Sequence, residues 1–138
     1  AQEEGAECII ISGKIESEIA TLDDEEGAMF LEELGMKETG LARLIRASYT
    51  LLGLMTFFTV GEDEVKGWTI HKNTPAVEAA GKIHSDIARG FIRAEVFHYQ
   101  DLVTQGDAQA IREKGLLRLE GKEYIVQDGD VMHFRFNV

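Results

Sequence analysis

The sequence predicts an α+β chain: a helical front part, then a mixed sheet curled around one main helix. Three observations carry this. Residues 14–53 keep apolar side chains at helical spacing, with short breaks between the helical runs. From Leu54 onward the period changes to that of strands, with β-branched and aromatic residues close together. The stretch AAGKIHSDIARGFIRAEV, Ala79–Val96, reads as the end of a helix, a stop at Arg89-Gly90 and a strand that begins at Phe91. The strands on either side need that helix to pack against.

In order along the chain, Cys8-Ile9-Ile10-Ile11 is a continuous apolar run of the kind that marks a strand buried on both faces of a parallel sheet. Ser12-Gly13-Lys14 turns it into a helix with Ile15, Ile19 and Leu22 on one face. The residues before the run supply no parallel neighbours, which points to a domain whose front lies upstream of Ala1. A second helix starts at Asp23, which can cap it with Glu26 three residues on, and runs to Leu34 with Gly35 as its stop. A third starts near Thr39, carries Leu41, Leu44, Ile45, Ser48 and Leu52 on its stripe, and ends at Gly53. Leu54–Val60 and Val65–Ile70 read as strands joined by a turn at Gly61-Glu62-Asp63. Thr74 as N-cap and Pro75 at the first helical position open the main helix, whose stripe is Val77, Ala80, Ile83 and Ile87. In Phe91–His98, Ile92, Ala94 and Val96 alternate with Arg93 and Glu95, the pattern of a half-buried strand. Gln100–Gly115 is polar and helical in two pieces broken at Gly106-Asp107. Leu116–Glu120 and Glu123–Val126 read as strands around Gly121-Lys122, and Asp128-Gly129 as a turn. In the last strand Met132, Phe134, Phe136 and Val138 alternate with His133, Arg135 and Asn137. A mixed sheet curling around one main helix is the β-grasp, or ubiquitin-like, arrangement.

Composition narrows the function classes. The chain has 138 residues, 44% hydrophobic and 28% charged, which suits one medium domain or a small domain plus a piece of another. No apolar run approaches the ~18 residues of a membrane helix, so no membrane partner is expected. The opening AQEEGAE is acidic where a signal peptide would carry a basic start, and the chain opens on Ala1, in keeping with a segment of a longer polypeptide. The single cysteine, Cys8, cannot form an internal disulfide, fits a reducing, cytoplasmic setting and leaves no cysteine-based zinc site. The net charge of −11 is uneven. Residues 1–54 hold 12 acids and 4 bases, a net of −8, and would repel nucleic acid; residues 55–138 hold 13 acids and 10 bases, a net of −3, and can carry a local basic patch.

Catalytic signals are missing. There is no GxxxxGK[ST] loop, GxSxG elbow or HExxH motif, and Cys8 lies in an apolar run that argues against a reactive thiol. His84 and Asp86 are two apart and lack a third ligand nearby in sequence, so a packed or hydrogen-bonded histidine is expected rather than a metal centre. His71, His98 and His133 are scattered and read mostly as surface residues. Trp68, Phe57, Phe58, Phe91 and Phe97 can stack on bases if exposed, with core packing the plainer role. Lys66, Lys72, Lys82, Arg89 and Arg93 are the candidate RNA contacts, several of them on one side if the β-grasp reading holds. Free N–H groups at Ser12-Gly13-Lys14, where strand hands over to helix, can bind an anion or a base edge, or form a plain turn.

IHSDIARGFIRAEV followed by DGDVMHFRFNV resembles the TGS domain, a β-grasp module named for threonyl-tRNA synthetases, GTPases and SpoT-type proteins. ASYTLLGLMTFFTVGEDEVKGWTIHKNTPAVEAAGKIHSDIARGFIRAEV and LRLEGKEYIVQDGDVMHFRFNV are similar to the C-terminal region of the YchF family, the Obg-like ATPases, which are P-loop NTPases of the translation-factor class. The resemblance runs from Ile10 to Val138. It implies that residues 1–53 are the C-terminal remnant of a nucleotide-binding domain and residues 54–138 a TGS domain. The family's Ser-Ala-Lys base-contacting motif matches Ser12-Gly13-Lys14, where glycine replaces the usual alanine and keeps the backbone N–H. It further implies no cofactor bound by this stretch alone, ATP or GTP with Mg2+ bound by the whole protein, and contact of the TGS module with ribosome, RNA or a protein regulator.

Two other readings stay open on the sequence. One is an independent RNA- or protein-binding adaptor without nucleotide chemistry, in which the chain itself or a dimer partner covers Cys8–Ser12. The other is a metal-dependent hydrolase built on His84 and Asp86.

Overall fold

The computed structural model describes residues 8–61 and 64–137. The opening AQEEGAE, the Glu62-Asp63 part of the predicted hairpin turn, and Val138 of the predicted last strand lie outside the described residues. The chain divides into two compact units, one ending at Leu52 and the other beginning at Gly53.

The first unit holds α1 (Gly13–Ile19), α2 (Asp24–Glu33) and α3 (Gly40–Leu51). Their starts follow from capping. Asp23 Oδ1 accepts the N–H groups of Glu25 at 3.0 Å and Glu26 at 2.9 Å, and Glu26 reaches back to the Asp23 N–H, closing the capping box the sequence predicts. Thr39 caps α3, and the Glu16 carboxylate adds two more acceptors there, 2.7 Å from the Gly40 N and 3.2 Å from the Leu41 N. That approach needs Gly40: a Cβ would stand 2.8 Å from Glu16 Oε1. Gly53, at φ 63°, follows the end of α3.

The strand predicted at Cys8–Ile11 is not formed. Residues 8–12 carry no strand pairing, Ile10 is 81% exposed, and its carbonyl oxygen accepts a hydrogen bond from Arg43 Nη2 at 3.0 Å. The apolar run has the composition of a buried strand. Strand geometry is a pairing property, however, and no partner strand is present among the described residues of this unit.

The second unit is a mixed α+β fold. Its five-stranded sheet has the order β2-β1-β5-β3-β4, with β1 (Leu54–Val60), β2 (Val65–His71), β3 (Phe91–His98), β4 (Arg118–Glu120) and β5 (Asp130–Phe136). β1 and β5 run parallel at the centre; the other pairs are antiparallel. One face holds the core. Met55 and Phe57 of β1 lie beside Ile70 and Trp68 of β2, while Ala94 and Val96 of β3 face Phe134 and Met132 of β5. The alanines of α4 (Ala76–Ile83) close this core, with Ala76, Ala79 and Ala80 fully buried, so the helix can sit close to the sheet. Phe57 is completely buried edge-on to Phe134, centroids 6.2 Å apart, and its burial alone stabilises the fold by roughly 1.5–3 kcal/mol.

Three details differ from the sequence expectation. The main helix does not run unbroken to Gly90. His84 takes an extended backbone (φ −161°, ψ 143°) and divides it into α4 and the short α5 (Ser85–Arg89), which His84 Nδ1 caps by accepting the Asp86 N–H at 3.2 Å. The apolar stripe is continuous through the break, because Ile83 and Ile87 both pack on the core, so periodicity does not reveal it. At the other end Pro75, not Thr74, is the N-cap, and no side chain caps α4. The loop before β5 does so instead: Tyr124 O accepts the Ala76 N–H at 2.8 Å and Lys122 O the Val77 N–H at 3.2 Å. That accounts for the third difference. Glu123–Val126 is not a sheet strand: its Tyr124 O is given to the start of α4, its Val126 N–H donates to Thr74 O at 3.1 Å, and it pairs as an isolated bridge between Pro75 and Ile125. The polar stretch forms α6 (Tyr99–Gln105) and α7 (Ala108–Glu113), broken at Gly106-Asp107 as the sequence suggests.

Candidate functional site

Ser12-Gly13-Lys14 sits at the start of α1. The Ser12 hydroxyl accepts the Ile15 N–H at 3.5 Å, which turns it toward its own helix, and Lys14 Nζ lies 3.9 Å from Glu18 Oε1 in the open. Cys8 is exposed, contrary to the buried position expected of its apolar run. It lines a 440 Å³ hollow with Ile9, Ile10, Glu38 and Arg46, where Arg46 and Glu38 form a two-pronged ion pair at 2.6 and 2.7 Å.

The five predicted basic contacts fall on different elements. Lys66 stands on the edge strand β2, its Nζ 4.5 Å from the Trp68 ring centre, and shares the sheet face that α4 covers. Lys72 follows the end of β2, and Lys82 lies in the last turn of α4; both are exposed. Arg89 of α5 is paired with Asp86 at 2.8 Å. Arg93 is opposite Arg135 across β3 and β5, on the face of the sheet away from α4. Lys66 and Arg93 therefore point to opposite sides of the sheet.

Of the aromatic candidates, Phe57 and Phe91 are core. Phe58 and Phe97 are half-buried on the second face. Trp68 is half-buried, donates from Nε1 to Thr59 Oγ1 at 3.0 Å, and is the one that stands beside a lysine. His84 is a helix cap, and its Nδ1 lies 3.6 Å from Asp86 Oδ2. His98 is not a plain surface residue. Its Nδ1 accepts the Gln100 N–H and its Nε2 lies 3.0 Å from Asp128 O, so the ring is held with the proton on Nε2. Among the described residues, no three His, Cys, Asp or Glu side chains converge as a metal site.

Two groupings escape sequence reasoning. Asp130 is completely buried, and its carboxylate accepts from Tyr124 Oη at 2.7 Å, the Gln127 N–H at 2.8 Å and Arg118 Nη2 at 3.2 Å. This network ties the loop that caps α4 to β5. Burial, then the bond to Asp130, push the Tyr124 phenol up to about 12. On the second face, Glu95 is the centre of a charge cluster. Its Oε1 takes Arg135 Nε at 3.1 Å and its Oε2 takes Arg112 Nη2 at 3.2 Å, with the side chain only 12% exposed. The hydrogen bond from Arg135 holds the Glu95 carboxyl below the usual carboxylate range, against the opposing effect of burial. Alternation places Arg93, Glu95 and Arg135 on outward positions. It does not say that Glu95 is registered with His133, nor that α7 brings Arg112 there.

The second unit is thus a small α+β module whose most structured polar groupings are the Asp130 network and the Glu95 cluster. Residues 54–137 match the family model YchF-GTPase_C, described as "Protein of unknown function (DUF933)", and the chain belongs to this family. The ribosome-binding ATPase YchF of Bacillus subtilis is 62% identical over 135 residues, covering 98% of this chain and 37% of the relative. That of Haemophilus influenzae is 54% identical over 138 residues, covering 100% of this chain and 38% of the relative. The solved structure of the Schizosaccharomyces pombe YchF GTPase superimposes with a TM-score of 0.78 at 37% identity, over 91% of this chain and 33% of that one. The chain therefore spans little more than a third of the relatives it matches and corresponds to a C-terminal portion of them. Among the described residues, no helix is long and apolar enough to cross a membrane.

Proposed function

We propose that this chain is the contact-making part of a ribosome-associated, nucleotide-driven protein that works in the cytoplasm. Residues 54–138 are a TGS module of β-grasp type that docks on ribosomal RNA, and residues 1–53 are the tail of the nucleotide domain. The observation that carries the reading is the match along nearly the whole chain to relatives named as ribosome-binding ATPases. The β-grasp assignment is supported by the strand order β2-β1-β5-β3-β4, with a parallel central pair and α4 across one face.

Lys66, Lys72 and Lys82, with Arg89 and Arg93 as further candidates, would meet phosphates, and Trp68 beside Lys66 offers an aromatic edge for a base. Ser12-Gly13-Lys14 would face the nucleotide base in the whole protein, through backbone N–H groups rather than the inward-turned Ser12 hydroxyl. ATP or GTP with Mg2+ would be held outside this stretch. The chain has no phosphate-binding loop, and no carboxylate cluster that fits Mg2+ occurs among the described residues, so no chemical step is assigned to them.

The test is co-sedimentation of the 138-residue chain with purified ribosomes across a salt series. Binding that weakens steeply with salt is expected for phosphate contacts. Binding indifferent to salt would remove the phosphate mode.

A further inference from the structure

The sheet face away from α4 carries a groove of whose surroundings the ribosome reading uses only Arg93, as a further candidate. Phe97 of β3 and Val131 of β5 are registered side by side there, and Leu102 of α6, Leu117 and Val60 complete an apolar lining. The groove has a volume of 190 Å³, room for one large apolar side chain. Arg112 and Arg135 also line it, their guanidiniums fixed by the two oxygens of Glu95. Each guanidinium carries five N–H donors and spends few of them on Glu95, and the side chains remain 61% and 50% exposed. Arg93, opposite Arg135, has no ion pair among the described residues, so the cluster keeps an excess of positive charge.

A phosphate backbone would use the arginines but has nothing to place on an apolar lining, and Phe97 is half-buried rather than presented as a stacking face. A segment with a carboxylate next to a large apolar side chain satisfies both halves. The apolar group fills the groove, and the carboxylate takes the outward N–H groups of Arg112 and Arg135. We propose that this groove docks a protein segment in which a large apolar residue is flanked by acidic ones. The proposal stands apart from the RNA contacts assigned to the lysines.

The test uses the 138-residue chain with labelled methyl groups and a fluorescein-labelled peptide carrying Asp-Phe-Asp in a Gly-Ser context. Saturable methyl shifts at Leu102, Leu117 and Val131 are expected. Replacing the peptide's Phe by Ala, or its Asp residues by Lys, should weaken binding about tenfold or more. On the protein, Arg112→Gln should do the same. Ala108→Leu, which narrows the groove and leaves the arginines in place, should also abolish the methyl shifts. An unchanged Trp68 unfolding midpoint would show that both variants are folded. The proposal is overturned if those methyls stay still at about millimolar peptide, if the Lys peptide binds equally well, or if single-stranded oligouridylate moves the same methyls and the peptide does not.

Discussion

Replacing Asp130 by alanine should unfold the second unit at much lower denaturant. The carboxylate is completely buried and accepts two short hydrogen bonds, from Tyr124 Oη at 2.7 Å and the Gln127 N–H at 2.8 Å. Each bond to a charged acceptor contributes about 1.5–3 kcal/mol. Arg118, at 3.2 Å, is 46% exposed and adds no more than about 1 kcal/mol. These contributions are already net of desolvation, so the two bonds at the lower end of their range give a loss of about 3–4 kcal/mol. The loop so released also caps α4 through Tyr124 O and Lys122 O, so the loss is felt at the core. Trp68 is the only tryptophan in the chain and lies in this unit, so its fluorescence follows this unit's unfolding in urea. With a slope of about 1 kcal/mol per molar for a unit of this size, the midpoint should fall by about 3 M. Tyr124→Phe, which removes one of the bonds, should move it by roughly half as much. A shift of less than about 1 M for Asp130→Ala would refute the reasoning, because bonds to this carboxylate would then be worth little more than surface contacts.

The same network sets an alkaline limit. Tyr124 keeps its proton in the fold up to about pH 12, against an ordinary value of 10.0, so the stability it contributes is fully present below pH 10 and is lost as pH rises toward 12. Trp68-monitored stability should fall across that window in the native chain, and Tyr124→Phe should flatten the slope. Gly90→Ala should destabilise the same unit by about 2 kcal/mol or more, since a Cβ would press on the Asn137 backbone, at 2.8 Å from its carbonyl carbon. Thermal unfolding checks it, and a melting temperature equal to that of the native chain would contradict the close approach.

Much of the fold is legible because it rests on local rules. The Asp23–Glu26 box, the Thr39 start of α3, the hairpin pairing of Leu54–Val60 with Val65–Ile70, and the alternation of Ala94 and Val96 with Arg93 and Glu95 all declare themselves at short range. Ile92, expected inward, is instead 60% exposed because the register shifts between Phe91 and Arg93. What is not legible depends on distant partners. Cys8–Ile11 has the composition of a buried strand but no strand to pair with among the described residues. Glu123–Val126 looks extended in sequence, yet its Tyr124 O is spent on the start of α4 and its Val126 N–H on Thr74 O. His84 breaks a helix whose apolar stripe continues across the break. The same holds for the candidate sites. Individual basic residues are visible in sequence, but the register that sends Lys66 and Arg93 to opposite faces is not. Nor is the meeting of Arg112, Arg135 and Glu95, which joins α7, β5 and β3.

The central claim is that the second unit is a ribosome-docking module, and it is tested most directly by charge reversal. The chain carrying Lys66→Glu, Lys72→Glu and Lys82→Glu together should be compared with the native chain in ribosome co-sedimentation at low salt. The native chain should pellet with ribosomes. The triple variant, with its Trp68 unfolding midpoint unchanged, should stay in the supernatant or bind at least about tenfold more weakly. Equal pelleting of the two, or no pelleting of the native chain, would contradict the account.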